Sequence, residues 1–304
     1  MPVSANIKNP GYYGFGGAHF IKHPTPGDVF YVTDAARGGA NTNDGLTPLT
    51  PFLTITYAMT QLTGVRDSYI FVQRTTFASE TWPLTVTQAY LHLIGTPDQG
   101  SPTPNIQPDT NNHGIQVDAG GCEIAGFIFK NPAANLKADI LVGSAGQQWQ
   151  THIHHNFFAW DSESYDCIYL DNQACQTRIH NNYFGAHGFD HYAICNDPTL
   201  GVIRTVIQDN VFIVDGRIVT GSEGINLWLG TTGVITGNMF SCPDSAIGEA
   251  IHITTGAGGQ ALITGNYAMS GVAANMTNNP YRDEDDANHW GLNYDCQTVR
   301  LPAS

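Results

Sequence analysis

His152-Ile153-His154-His155-Asn156-Phe157-Phe158 is followed by four further versions of itself. They are Arg178-Ile179-His180-Asn181-Asn182-Tyr183-Phe184, Val206-Ile207-Gln208-Asp209-Asn210-Val211-Phe212, Val234-Ile235-Thr236-Gly237-Asn238-Met239-Phe240 and Leu262-Ile263-Thr264-Gly265-Asn266-Tyr267-Ala268. The asparagines at 156, 182, 210, 238 and 266 are separated by 26, 28, 28 and 28 residues. A weaker earlier version, Glu123-Ile124-Ala125-Gly126-Phe127-Ile128-Phe129, carries Phe127 in the Asn slot. Between the copies runs a second apolar column: Ile115, Ile140, Ile168, Ile194, Ile225 and Ile251. Its members lie in short alternating runs such as Ile168-Tyr169-Leu170 and Ile251-His252-Ile253, and alternation with period two marks half-buried strands.

Each repeat therefore holds two short strands joined by turns rich in Gly, Asn and Asp. The repeats contain no helical pattern of ten to twelve residues, which excludes helical solenoids and βαβ units. One such repeat cannot bury its own apolar face, so the copies must stack. Each strand then pairs with its equivalent one coil away, at about 4.8 Å. The isoleucines become ladders inside the coil. Asn156, Asn182, Asn210, Asn238 and Asn266 become a structural ladder, because an amide side chain both donates and accepts and can satisfy the backbone of a buried turn.

The Ile-x-Gly/x-Asn-x-Phe pattern resembles the repeat of the pectin-lyase-like superfamily, and among its members most resembles phage virion β-helix proteins. The resemblance implies an all-β, right-handed parallel β-helix, the handedness that the crossover rule also favours. Tyr31-Val32-Thr33, Gly38-Gly39, Asn43-Asp44-Gly45 and Pro51-Phe52-Leu53-Thr54-Ile55 resemble the opening segment of such proteins. A short helix over Thr54 to Leu62 would cap the first coil, where an open strand edge would otherwise be exposed. One structural domain is expected, with an opening segment and cap over 1–62, the β-helix over 63–275, and a C-terminal cap or assembly tail over 276–304.

Composition narrows the partners. The chain has 304 residues, a net charge of −14 and only 12% charged residues, and its four lysines (Lys8, Lys22, Lys130, Lys137) form no basic cluster. Nucleic acid and anionic membrane surfaces are therefore poor partners, and no apolar run approaches a membrane span. The six cysteines match no metal-binding spacing and read as small buried thiols. Met1-Pro2-Val3-Ser4 lacks the basic and apolar regions of a secretory signal, so synthesis in a host cytoplasm and incorporation into a virion is the expectation.

The catalytic strings of the superfamily's hydrolases and pectate lyases are missing, and Gly185-Ala186-His187-Gly188 is only a partial echo. The residues themselves offer one constellation. Asp118, Asp171 and Asp197 each follow a column isoleucine by three positions, which places Asp171 and Asp197 on adjacent coils about 5 Å apart. Tyr169 lies beside them and Trp228 takes the same place one coil later, so the four make a candidate glycan-binding surface. If the chain is an enzyme, Asp171 and Asp197 are its acid and nucleophile; the plainer role is that of turn aspartates bonding local backbone. Such a pair could also share a proton or bind Ca²⁺, and no other cofactor is expected. His154 and His180, with His152 and His155 nearby, form a column that reads as a polar stripe facing solvent. Asp283-Glu284-Asp285-Asp286 reads as a solvated acidic loop.

Three functions fit. The first is a non-catalytic structural protein of a phage particle (head decoration, head fibre or tail-spike-like), assembled as a homotrimer with other virion proteins and touching a host-surface glycan. The second is a polysaccharide lyase or glycoside hydrolase. The third is a simple glycan-binding module. The first is preferred, because no enzyme motif of the superfamily is present.

Overall fold

The computed structural model describes residues 27–73, 79–97, 104–108, 111–130, 137–144, 148–159, 166–171, 174–185, 192–199, 201–213, 223–228, 230–242, 249–254, 259–270, 280–284, 288–295 and 299–300. Within these, the chain winds through three long, mainly parallel sheets, and a fourth, two-stranded one joins Gln148–Trp149 to Ala174–Cys175. The first has ten strands, from Val29–Val32 to His289–Trp290; the second has eight, from Leu84–Val86 to Tyr281–Asp283; the third has nine, from Asn105–Ile106 to Val299–Arg300. Between the first two and the last two strands, which pair within one sheet, successive strands fall on different sheets and each pairs with its equivalent one coil away. This is a parallel β-helix with almost no helical structure.

The expected columns are the register of the sheets. Ile115, Ile140, Ile168, Ile194, Ile225 and Ile251 are Cα partners in sequence on the second sheet. All six are fully buried. On the third sheet, Phe129, Phe158, Phe184, Phe212 and Phe240 stack with centroids 4.5 to 4.9 Å apart and planes within 13°. Flat rings repeat at this spacing because the strand separation imposes it, and offset stacking adds to the burial of each ring.

The Asn ladder is saturated. Asn210 Oδ1 accepts from Asn182 N (3.0 Å) and Asn182 Nδ2 (3.1 Å). Asn210 Nδ2 donates to Ile179 O (3.0 Å) and to Asn238 Oδ1 (2.9 Å). The same arrangement joins Asn156 to Asn182 and Asn238 to Asn266. The residue before each rung of the ladder explains the variable slot in the motif. Gly126, His155, Asn181, Asp209, Gly237 and Gly265 all have φ between 54° and 79°. Only Gly, and with less ease Asn, Asp and His, takes that left-handed conformation without strain.

The repeat runs on past residue 275. Asn266 Nδ2 donates to Asn293 Oδ1 at 2.9 Å, so the ladder has a sixth rung. In this last coil Tyr281 replaces the column isoleucine, opposite Ile251. It is fully buried, and its hydroxyl crosses the coil to donate to Asn266 O and Tyr294 O. The phenylalanine column ends at Ala268 in the preceding coil, so a large ring is lost from one wall where a larger side chain enters from another. Asn293–Asp295 then pairs antiparallel with Val299–Arg300, which closes this edge of the third sheet.

At the other end the helix Ile55–Thr60 covers the first coil, with Ile55 and Ala58 buried beneath it. Thr54 caps it locally, accepting from Tyr57 N at 3.1 Å. Glu80 supplies a second cap from the following coil: its carboxylate accepts from Ile55 N (2.5 Å) and Thr56 N (3.0 Å). Unpaired N–H groups of a first helical turn favour such a carboxylate. Burial pushes the Glu80 carboxyl up, and these bonds only partly offset that.

Replacing Asn210 by Leu keeps its volume but leaves Asn182 N without its side-chain acceptor and strips one buried bond each from Asn182 Nδ2, Ile179 O and Asn238 Oδ1. The expected destabilisation is about 3–6 kcal/mol, from unsatisfied buried polar groups. Urea unfolding followed by circular dichroism checks it; a loss below about 1 kcal/mol would show the ladder to be dispensable.

Candidate functional site

The second sheet has an outer side that the isoleucine ladder does not use. Its central strands are Asp166–Leu170, Tyr192–Asn196, Glu223–Leu227, Glu249–Ile253 and Tyr281–Asp283. Three columns cross them. The first runs through Asp166, Tyr192, Glu223 and Glu249, and the second through Tyr169, Cys195, Asn226, His252 and Arg282. The third holds Asp118, Gly143, Asp171, Asp197, Trp228, Thr254 and Glu284. Each of its members donates its backbone N–H to the coil before, all through a carbonyl except Trp228, which uses Asn196 Oδ1.

Asp171 and Asp197 therefore occupy neighbouring rungs, with Tyr169 diagonal to them and Trp228 one rung on. Their surroundings differ. Asp197 Oδ1 accepts from Thr199 N (2.6 Å) and Thr199 Oγ1 (2.5 Å), which commits that oxygen to a local turn. Asp118 accepts from Ser144 Oγ (2.8 Å) and from Gln116 Nε2 (2.6 Å). Tyr169 is half-buried, and burial together with Asp197 pushes its phenol well above the usual range. Trp228 is clamped by Asn196, which accepts from Trp228 N at 2.7 Å and donates to Trp228 O at 3.1 Å. A partly exposed aromatic residue one rung from a carboxylate, with its backbone held in place, is a surface a sugar can lie on.

The densest charge on this face is a cluster that reading the sequence did not single out. His252 Nδ1 lies 3.1 Å from Glu223 Oε1 and 3.0 Å from Glu249 Oε2, and His252 Nε2 lies 3.2 Å from Glu284 Oε1. Arg282 bridges Glu249 (3.3 Å) and Glu284 (2.5 Å). Burial works against a proton on His252, but the bonds to Glu223 and Glu249 outweigh it and push the imidazole up to about 10. The signal was in the sequence: Glu223 and Glu249 each precede a column isoleucine by two, and His252 follows Ile251 directly. Of the acidic run, Glu284 belongs to this cluster and Asp283 accepts from Trp290 Nε1 at 2.7 Å, so neither is a solvated loop residue. Asp285 and Asp286 lie outside the described residues, as does His187.

The histidine column lies on the first sheet, and it corrects the expectation of a solvent-facing stripe. His154 and His180 stack at 4.8 Å. His154 is buried; its Nε2 lies 2.7 Å from Glu123 Oε1 and its Nδ1 2.8 Å from His155 Nδ1. His92 Nδ1 meets the other Glu123 oxygen at 2.5 Å. Burial pushes the Glu123 carboxyl up, yet bonds and charge from His154 and His92 overcome it and hold it far below the usual range. Beside this cluster a shallow groove is lined by Tyr90, Gln150, His152, Gln176, Arg178 and Arg204. Of the cysteines, Cys122, Cys167, Cys175 and Cys195 are buried and in no disulfide, as small core thiols are.

His152 gives this region a pH dependence. Burial, aided by the Arg178 charge, lowers its imidazole from 6.5 to about 4. The unfolded chain therefore takes up the proton first, and stability is full above about pH 6.5 and declines as pH falls toward 4. His155 and His180 are lowered as well and act in the same sense. The urea midpoint should drop across this window, and His152→Gln should make the drop shallower; an identical profile in the variant would remove His152 from the account.

No family model matches the chain, and no curated protein matches it. Among solved structures, the chain is similar to a GH136 lacto-N-biosidase from Eubacterium ramulus, with 11% identity and a TM-score of 0.41 over 88% of this chain and 67% of that one.

Proposed function

We propose that this chain is a self-assembling structural β-helix of a phage particle, which holds a host-surface glycan on the outer side of its second sheet without cleaving it. The observation that carries the reading is the outer side of the third sheet. Ile128, Phe157, Tyr183, Val211, Met239, Tyr267 and Tyr294 are Cα partners in sequence, an unbroken apolar and aromatic stripe seven rungs long. At about 4.8 Å per rung the stripe is roughly 29 Å long. Tyr267 is 49% exposed, and Met269 beside it 40%. Scattered surface hydrophobics need no explanation, but a continuous line of them marks a contact surface.

The occupant that fits is another copy of the same chain. A straight stripe with one large side chain per rung is matched along its length by a partner with the same rise, and parallel copies around a three-fold axis bring the stripes together. The low charge of the chain supports such packing. The second sheet then faces away from the axis, with Tyr169 beside Asp171 and Asp197 and Trp228 one rung beyond them as the glycan platform. The commitment of Asp197 to Thr199 supports a binding role over a catalytic one.

Light scattering should give a mass near three times the 32.9 kDa chain. Tyr183→Lys with Tyr267→Lys should shift it to one chain, and a wild-type monomer across a wide concentration range would overturn the assembly. Trp228→Ala should weaken retention on the recognised polysaccharide by roughly 10-fold or more without changing the mass. Reducing ends released by the wild type, and lost in Asp171→Asn and Asp197→Asn, would make the chain a glycan-degrading enzyme instead.

A further inference from the structure

We propose that Glu223, Glu249 and His252 form a site for a divalent transition-metal ion of the Zn²⁺ or Mn²⁺ kind. The three residues come from two adjacent rungs. Glu223 and Glu249 are direct Cα partners, and His252 lies three residues after Glu249 on the same strand. One ligand atom from each falls within 4.8 Å of the others.

The distances suit a coordination sphere. Nδ1 of His252 is 3.1 Å from Glu223 Oε1 and 3.0 Å from Glu249 Oε2. Ligands about 2.1 Å from a metal stand roughly 3.0 Å apart in octahedral and 3.4 Å apart in tetrahedral geometry. Each carboxylate also has its second oxygen held elsewhere. Asn226 Nδ2 donates to Glu223 Oε2, and Arg282 Nη1 to Glu249 Oε1. The free oxygens are thereby aimed at Nδ1. On the far edge of the ring, Glu284 faces Nε2 at 3.2 Å. A carboxylate against the distal nitrogen orients a metal-ligating imidazole and leaves the proximal nitrogen as the donor.

Hydrogen bonding alone leaves this cluster incomplete. Nδ1 carries at most one proton, and its hydrogen bond goes to Glu223. Glu249 Oε2 and His252 Nε2 are buried, in residues only 5% and 6% exposed, and meet His252 Nδ1 and Glu284 Oε1 as ionic contacts at 3.0 and 3.2 Å without an aligned hydrogen bond of their own. Charge points the same way. Three carboxylates meet one guanidinium and one imidazole here, an excess of acidic groups that a bound cation offsets. Binding displaces the Nδ1 proton to solvent, and nothing is oxidised or reduced. One nitrogen with two oxygens favours a borderline transition metal over Ca²⁺, which takes six to eight oxygens. With Glu284 behind the ring, the ion would tie together the last three rungs of the second sheet.

The test uses the full chain, stripped with chelator and free of any histidine tag, titrated calorimetrically with ZnCl₂ and MnCl₂. One ion per chain and a higher melting temperature are expected. His252→Ala and Glu249→Gln should each weaken binding by roughly 100-fold and abolish the melting shift. Co²⁺ added to the wild type reads the site without mutation, through ligand-field bands with a nitrogen donor. No saturable binding by the wild type, undiminished binding in both variants, or a Co²⁺ spectrum with oxygen donors only would overturn the proposal.

Discussion

The stacking of the described coils rests on one constraint: the buried turn between the first and third sheets must satisfy its own backbone. The amide of each ladder asparagine closes that turn and bonds to the next asparagine, as Asn182, Asn210 and Asn238 do. A slip of one residue would break two rungs of these bonds and turn every apolar side chain outward. The ladder thus fixes the register, and the register aligns isoleucines with isoleucines, phenylalanines with phenylalanines, and the surface columns with one another.

The surfaces follow as a by-product of alignment. Residues that are 26 or 28 positions apart in the chain become neighbours at one strand spacing, so a column of like residues becomes a continuous stripe. The third sheet carries an apolar stripe, the second an acidic and aromatic one, and the first a histidine-rich one. These faces are chemically distinct although the same stacking rule builds all of them. On the proposed reading, assembly and recognition fall on different sides of one coil.

The fold was legible because its determinants repeat. Asn, Ile and Phe recur at one spacing, and five copies leave little freedom of alignment. What the repeat hides was harder to read. Asn293 belongs to the ladder, but Gly291-Leu292-Asn293-Tyr294 follows a coil in which Tyr281 stands for isoleucine and Ala268 for phenylalanine, so the surrounding pattern dissolves while the key residue persists. On the surface, aligning positions three after each isoleucine found Asp171, Asp197 and Trp228, yet passed over Glu223 and Glu249, which lie two before. Partnership across rungs, such as Glu123 with His92 and His154, depends on side-chain reach along the diagonal and leaves no spacing signature.

The two ends of the coil are closed by quite different devices. A helix pinned by Glu80 seals the first, and a short antiparallel return seals the other. Neither device depends on how many coils lie between them, since each interior coil meets only its immediate neighbours. Length is therefore a free variable of this architecture. Duplication or deletion of one 28-residue unit would change the reach of the molecule by a fixed increment and leave its ends and its lateral surfaces intact. A lineage can tune such a protein like a ruler, adding or removing divisions without redrawing either end.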